Sequence, residues 1–335
     1  MDLIDLTLIW VALIGLGIFM YVLMDGFDLG VGILFPFAPD DAARDQMMGS
    51  VAPVWDGNET WLILGGAGLL AAFPLIYTVF LPALYLGVFL LLAGLIFRGI
   101  AFEFRFKATR NKVWWDRSFF LGSTVAAFAQ GAVIGAYVQG FETENFRYVG
   151  GALDWLTPFT VMTGVGVVAG YALLGVTWTI MKTEGRTQRW AYELAPWLLA
   201  AVMAFFLIVS LWTPLTSERV MARWFDNLSW LWIFPTLTLV VAGWIAWRLQ
   251  GRAEASPFIG SMMLFGLFYI GILVSMWPYA VPPTYTFWEA SSDPGSQLFL
   301  LVGFLFLIPI ILGYTAWTYW VFRGKVKPGT GYAGH

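Results

Sequence analysis

The sequence predicts an all-α membrane protein of nine transmembrane helices, arranged as two four-helix bundles plus one extra helix, with the N-terminus outside and the C-terminus inside. Three observations predict it. Hydrophobic residues make up 59% of the 335-residue chain and charged residues only 12%, a balance that no soluble domain requires. Apolar runs longer than about 18 residues recur along the whole length. The basic residues gather at alternate ends of those runs.

The runs place spans near residues 6–36, 50–73, 78–106, 117–139, 155–182, 190–213, 228–249, 257–279 and 297–322. The first is about 30 residues long and should tilt or project past the hydrocarbon. It lacks a basic leader and a cleavage site, so it reads as a retained helix. Connections are mostly short; the longest are 140–154 and 280–296, the second rich in Pro and Ser and free of Lys and Arg. Residues 1–335 therefore read as a single transmembrane domain. The 19 Trp and 29 Phe suit lipid-facing and interfacial surfaces, with Trp114, Trp115, Trp224, Trp230, Trp288 and Trp320 forming a belt at span ends. Of 18 Lys and Arg, 15 fall at ends that a nine-span arrangement puts on one side, and only Arg147, Arg219 and Arg223 on the other. An excess of positive charge marks the inner side, and an eight-span chain would break the alternation. Arg105 and Lys107 read as inner-surface anchors. "YVLMDGFDLGVGILF" in span one and "VVAGYALLGVTWTIM" in span five share small residues set among large ones. That pattern fits repeat halves at about 1–140 and 155–280 plus an extra helix at 297–322, and equally fits glycine used for close helix approach.

Acidic residues interrupt this apolar pattern in two places. Asp25 and Asp28 lie in "MDGFDLG", inside the first span. Asp56 and Glu59 lie in "VWDGNETW", which opens the second, beside Asn58. At about 1.5 Å per residue, Asp25 and Asp28 sit roughly 30 Å from the outer end, in the inner third of the membrane. Span two returns from inside, so Asp56 and Glu59 share that level. So does Arg98, in "LIFRGIAFEFRF" of span three. Each acidic pair is spaced i, i+3 and shares one helix face. An ionised, unpaired carboxylate near the bilayer centre costs on the order of 3 kcal/mol on insertion scales. Arg98 can neutralise one acid, or two by forked bonding. The rest must be protonated or hydrated. Three readings stand at this point: acids that end helices at the interface, with Asp56 after Pro53 capping span two; a structural ion pair with Arg98; or a hydrated path for protons or cations. Trp55 and Trp61 flank the second pair, where they could pack within the chain or meet a partner or a quinone ring.

Several chemistries are excluded. The chain has no cysteine and a single histidine, His335, its last residue. It therefore offers no His or Cys within its spans to ligate a haem, and no metal site is expected. No phosphate-binding loop, dinucleotide fingerprint or Ser-His-Asp set is present, and no nucleic-acid signature. The chain is not expected to be catalytic alone. It is either a proton- or cation-coupled secondary transporter or a subunit of a larger redox assembly.

"MDGFDLGVGILFPF" at 24–37 and "WDGNETWLILGGAGLLAAFP" at 55–74 resemble the two hallmark stretches of subunit II of the cytochrome bd-type quinol oxidases, and "FRGIAFEFR" at 97–105 and "GYALLGVTW" at 170–178 are similar to that family too. The short loops and "GFDLGVGILFPF" lean toward its cyanide-insensitive branch. The resemblance covers essentially the whole chain. It implies a heterodimer with a similar subunit I in the bacterial inner membrane, oxidising quinol and reducing dioxygen to water in aerobic respiration. Subunit I would carry two b-type haems and one of d or b type, with none ligated by this chain. Subunit II would support assembly and haem retention. A structural quinone within it and a small single-helix accessory subunit are both compatible with the family. By motif, Asp25, Asp28 and Asp56, with Asn58 and Glu59 beside them, resemble the family's cytoplasmic proton path along the subunit interface, and Arg98 its counter-charge.

Overall fold

The computed structural model describes residues 5–225 and 230–327, and His335 lies outside the described residues. Among the described residues, eight helices are long and apolar enough to cross a membrane: α1 (Leu6–Leu34), α4 (Pro74–Arg105), α5 (Lys112–Gln139), α6 (Pro158–Lys182), α7 (Gly185–Thr216), α9 (Ile233–Gln250), α10 (Ser256–Met276) and α12 (Pro294–Val321). The remaining long helix, α3 (Trp55–Ala72), packs beside α1. Asp56, Asn58 and Glu59 in its first turns keep it out of that apolar set.

Helix ends follow local chemistry. Asp5 caps α1 by accepting from the Leu8 amide at 3.2 Å. Thr157 forms a capping box with Thr160, and Pro158 fills the first position of α6. Pro74 opens α4 immediately after Phe73, so α3 and α4 meet at a one-residue corner. The expected second span, 50–73, starts only at Trp55, because residues 50–51 complete a separate amphipathic helix, α2 (Asp41–Val51), capped by Asp40. Pro53 lies in the turn between them. The expected span at 228–249 is observed from Ile233, and 228–229 lie outside the described residues.

The stretches read as loops hold small elements. Two antiparallel hairpins, β1–β2 (Thr143–Glu144 with Arg147–Tyr148) and β3–β4 (Tyr279–Val281 with Tyr285–Thr286), pack together, with the Phe146 and Tyr285 rings stacked at 3.8 Å. Short helices α8 (Glu218–Phe225) and α11 (Phe287–Ala290) lie at the same end of the bundle, where the Trp288 indole donates to Asp5 at 2.8 Å. The basic ends meet at the opposite face, tied by Arg186–Asp40 at 2.9 Å, Lys112–Asp45 at 2.9 Å and Lys325–Glu254 at 2.5 Å. Arg105 is not a surface anchor there. It is fully buried, held by Asp45 at 2.6 Å and Asp116 at 2.5 Å over the Phe35 ring, because a guanidinium can satisfy two carboxylates at once. Burial pushes the Asp45 carboxyl up, but hydrogen bonds from Arg105 and Lys112 outweigh it and hold it below the usual carboxylate range. Lys107 is exposed, 3.7 Å from Glu103. Trp114, Trp230, Trp288 and Trp320 are exposed as a belt requires, whereas Trp224 is partly buried and donates to Ser275 at 2.9 Å.

The C-terminal half of α1 is the centre of the packing. Residues Asp25–Phe35 are all buried, surrounded by α3, α5, α6 and α10. Glycine makes this enclosure fit. A β-carbon on Gly26 would press on the Tyr171 ring, one on Gly30 would overlap the Tyr171 carbonyl, and one on Gly32 would overlap the Ser123 hydroxyl. Gly175 of α6 meets the backbone of Gly30 in return. Small residues at a crossing are what let two membrane helices approach this closely. The obstacle at Gly30 is backbone, which cannot swing aside. Gly30→Val should therefore cost at least about 1–3 kcal/mol by overpacking. It should lower the melting temperature and yield of the purified chain, whereas Gly271→Ala, which meets no atom within 4 Å, should leave both unchanged.

Candidate functional site

The site grows from one face of α1. Asp25 and Asp28 are spaced i, i+3, and both are 0% exposed. Leu29–Leu34 continue α1 beyond them, so they do not end the helix. The interface reading therefore fails for this pair. Arg98 descends on α4 to meet Asp25 and is itself 0% exposed. Its Nη1 pairs with Asp25 Oδ1, and its Nη2 reaches Glu59 Oε2 at 2.8 Å. The forked guanidinium thus joins α1, α4 and α3 in one ion cluster. The Trp55 ring lies 5.6 Å from the Arg98 guanidinium and stacks on Phe102 at 4.9 Å. An aromatic face there adds attraction to a desolvated cation.

Asp28 is held differently. The Asn58 amide donates to Asp28 Oδ2 at 2.7 Å and to the Met24 carbonyl at 3.3 Å. The Asn58 carbonyl accepts from the Tyr319 hydroxyl of α12 at 2.9 Å. Asp28 has no ion-pair partner among the described residues. Three carboxylates therefore gather near one guanidinium, and two of them pair with it.

Each residue singled out in the sequence has a place. Asp25, Asp28, Asn58, Glu59 and Arg98 come together. The Glu59 side chain is 28% exposed and forms the open edge of the cluster. Asp56 lies in the first turn of α3 on its exposed face, near Glu59 but outside the ion pair. It makes no capping hydrogen bond; Val54 is the capping residue and has none to give. Trp61 is 1% exposed and sits in the interior, while Trp55 packs on Arg98 and Phe102.

Sequence reasoning missed four neighbours: Tyr21, Gln130, Tyr171 and Tyr319. Gln130 donates to the Tyr21 hydroxyl at 3.0 Å and accepts from the Tyr171 hydroxyl at 2.6 Å. Tyr21 lies one turn before Asp25 on α1 and is buried. The i−4 spacing of Tyr21 and a lone glutamine inside "AAFAQGAVIGA" were the available signals. The tyrosines on α6 and α12 were hidden among many membrane aromatics. Among the described residues, no group of three or more His, Cys, Asp or Glu is placed to hold a metal ion. Without a His or Cys donor, the site offers proton acceptors and one fixed cation rather than haem ligands.

Comparison with known proteins gives one consistent result. A family profile described as "Cytochrome bd terminal oxidase subunit II" matches residues 6–322. The chain is 31% identical to cytochrome bd-I ubiquinol oxidase subunit 2 of Escherichia coli (strain K12), over 96% of this chain and 95% of that one. It is 26% identical to cytochrome bd ubiquinol oxidase subunit 2 of Bacillus subtilis (strain 168), over 96% of each. The fold is similar to a chain in the structure of bd oxidase from Geobacillus thermodenitrificans, with a TM-score of 0.79 at 16% identity, covering 95% of this chain and 99% of that one.

The geometry makes Arg98 the test of the cluster's cohesion. Arg98→Gln leaves Asp25 buried without its cation, a break that costs about 3–5 kcal/mol. The melting temperature of the purified protein should fall accordingly. Arg98→Lys should recover only part of the loss, because an ammonium keeps the charge but not the fork between Asp25 and Glu59.

Proposed function

The chain belongs to the cytochrome bd terminal oxidase subunit II family and is a subunit of a quinol oxidase, and from that premise we propose that its buried acids are the inlet through which cytoplasmic protons pass toward oxygen reduction. One observation carries this reading: Asp25, Asp28 and Glu59 are gathered at one level of a membrane bundle around a single Arg98, with more negative charge than the cation can neutralise. A purely structural ion pair needs one carboxylate per guanidinium, or two. A third, fully enclosed, is costly unless it binds protons or water.

The path runs from exposed to enclosed. Asp56 sits on the outer stripe of α3, Glu59 at the edge, and Asp25 and Asp28 inside. That stripe continues through Thr60, Ile63 and Leu70, all exposed. Lipid chains cannot solvate a carboxylate at Asp56, so we place subunit I, the heterodimeric partner, against this face. The haems belong to subunit I, where quinol oxidation supplies electrons and dioxygen is reduced to water. This chain positions acids and passes protons, and it supports assembly and haem retention by packing on that partner. A small accessory helix, bound quinone and lipids complete the assembly in this reading.

The membrane arrangement follows. We place α3 as a ninth span, which restores the alternation of basic ends and sets the N-terminus outside the bacterial inner membrane and the C-terminus inside. The basic face of the bundle is then cytoplasmic, at the acids' end of α1. We retain the halves at about 1–140 and 155–280, with α1 and α6 as the corresponding helices that cross at Gly30 and Gly175. Family membership removes the basis for a secondary transporter, which rested on the acids and the possible repeat.

Asp25→Asn or Asp56→Asn in the two-subunit oxidase should leave haem content near normal while slowing oxygen consumption with quinol. Normal turnover in an assembled variant would overturn the inlet. Haem lost in step with turnover would assign the acids to assembly instead.

A further inference from the structure

A groove on the flank of the bundle, outside the acid cluster, has the depth of one membrane leaflet and carries charge at one end only. It lies between α7 and α9 and has a volume of about 630 Å³. Sites for small ligands hold about 300–1,000 Å³. Most of its lining is apolar, with Leu199 and Met203 on α7 facing Ala242 and Ala246 on α9. Along α7 it runs from Tyr192 to Met203, about 16 Å at 1.5 Å per residue. That is about half of a 30 Å hydrocarbon core. α7 and α9 pack against α6 and α10 rather than against α3, so the groove lies away from the stripe assigned to subunit I. Trp197 and Trp247, each next in the chain to a lining residue, are exposed.

The charged groups collect at one mouth. Glu193, Gln250 and Arg252 line the groove there. This is the basic face of the bundle, where Glu254, two residues past Arg252, pairs with Lys325 at 2.5 Å. Glu193 and Arg252 share the groove without pairing with each other, and neither makes an ion pair among the described residues. The Arg252 guanidinium lies 5.5 Å from the Tyr192 ring, and the Tyr192 hydroxyl donates to the Arg252 carbonyl at 2.9 Å. α7 thereby holds the cation of α9 at the mouth. A guanidinium binds a phosphate through forked hydrogen bonds. A carboxylate accepts from an ammonium that has N–H groups to donate. Two opposite charges that face one cavity unpaired can each meet the opposite charge of a single ligand.

We infer that the groove binds one phospholipid of the cytoplasmic leaflet whose head carries both a phosphate and a primary ammonium, a lipid of the phosphatidylethanolamine class. Arg252 and Gln250 take the phosphate, Glu193 takes the ammonium, and an acyl chain lies along the apolar lining. The pair of charges selects this head. Phosphatidylglycerol brings a phosphate to the mouth but no cation to offset Glu193. The trimethylated ammonium of phosphatidylcholine has no N–H for that carboxylate. A quinone has a tail suited to the groove but no charge for either residue. The site rests on the membrane placement given above and is independent of the proton inlet.

The test is native mass spectrometry of the detergent-washed two-subunit oxidase, equilibrated with equal amounts of phosphatidylethanolamine, phosphatidylglycerol and phosphatidylcholine. Three variants are compared, with haem content and melting temperature reporting assembly. Arg252 has φ 51° and closes the end of α9 at a position that glycine usually fills, so Arg252→Gly removes the guanidinium without straining the backbone. Gly243→Leu occupies the groove from a position where a β-carbon meets no atom within 4 Å. Glu193→Gln removes the negative charge and keeps the side-chain shape. The expected result is one phosphatidylethanolamine on the parent protein that Arg252→Gly holds about tenfold more weakly, the loss of a charge-assisted contact. Gly243→Leu should displace the same molecule. Glu193→Gln should keep a lipid but take phosphatidylglycerol as readily as phosphatidylethanolamine. Equal phosphatidylethanolamine occupancy in the parent and all three variants would overturn the site. So would a parent protein that retains the three lipids equally, or a quinone rather than a phospholipid lost in Gly243→Leu.

Discussion

The structure depends on one constraint: charge that has been taken out of water must be held by the protein itself. Asp25 and Arg98 are both fully buried, and an isolated ion at such a place is expensive by any measure. Much of the surrounding architecture answers that cost. Arg98 forks between Asp25 and Glu59 and lies beside the Trp55 ring. A hydrogen-bonded chain through Gln130 of α5 joins Tyr171 of α6 to Tyr21, one turn before Asp25 on α1. Asn58 and Tyr319 reach Asp28 from α3 and α12. Five other helices thus converge on this part of α1. The glycines at 26, 30 and 32 are what let α5 and α6 come this close.

The same constraint shapes α3. A helix that carries Asp56, Asn58 and Glu59 in its first turns cannot be uniformly apolar, and it falls short of the hydropathy of the other eight. Its polarity is graded by exposure, with Asn58 inside, Glu59 at the edge and Asp56 outside. Under the proposed function this gradient is the route inward, and the exposed stripe of α3 is where subunit I completes it. Arg105, with Asp45 and Asp116, is a second buried guanidinium. There the charges are matched more evenly, because Lys112 joins Asp45. The contrast sharpens what is unusual about the Asp25 cluster: its acids outnumber its cation.

The main features of this arrangement were legible in the sequence because they are periodic or depth-dependent. Apolar runs fixed the long helices, the i, i+3 spacing put Asp25 and Asp28 on one face, and the rise per residue brought Asp25, Glu59 and Arg98 to one level. What was not legible depends on long-range neighbours. Asp56 shares the motif of Asp25 and Asp28 but turns to the other side of its helix, and spacing within α3 alone cannot say which side faces α1. Arg105 looks like any basic residue at a span end until α2 and α5 close over it. The hydrogen-bonded chain needs Gln130 to meet Tyr21 across 109 residues of separation and Tyr171 across 41, which no local pattern encodes. The hairpins at 143–148 and 279–286 escaped because strands of two or three residues carry no usable alternation.

The most direct measurement of the central claim is proton uptake in a single turnover. The fully reduced two-subunit oxidase would be mixed rapidly with oxygen in the presence of a pH-sensitive dye, and haem oxidation followed in the same shot. Glu59→Gln, at the open edge of the cluster, is the variant to compare. The account predicts that proton uptake from solution slows while the preceding oxidation of haem keeps its rate. Uptake and oxidation both at their original rates in a fully assembled Glu59→Gln protein would contradict it.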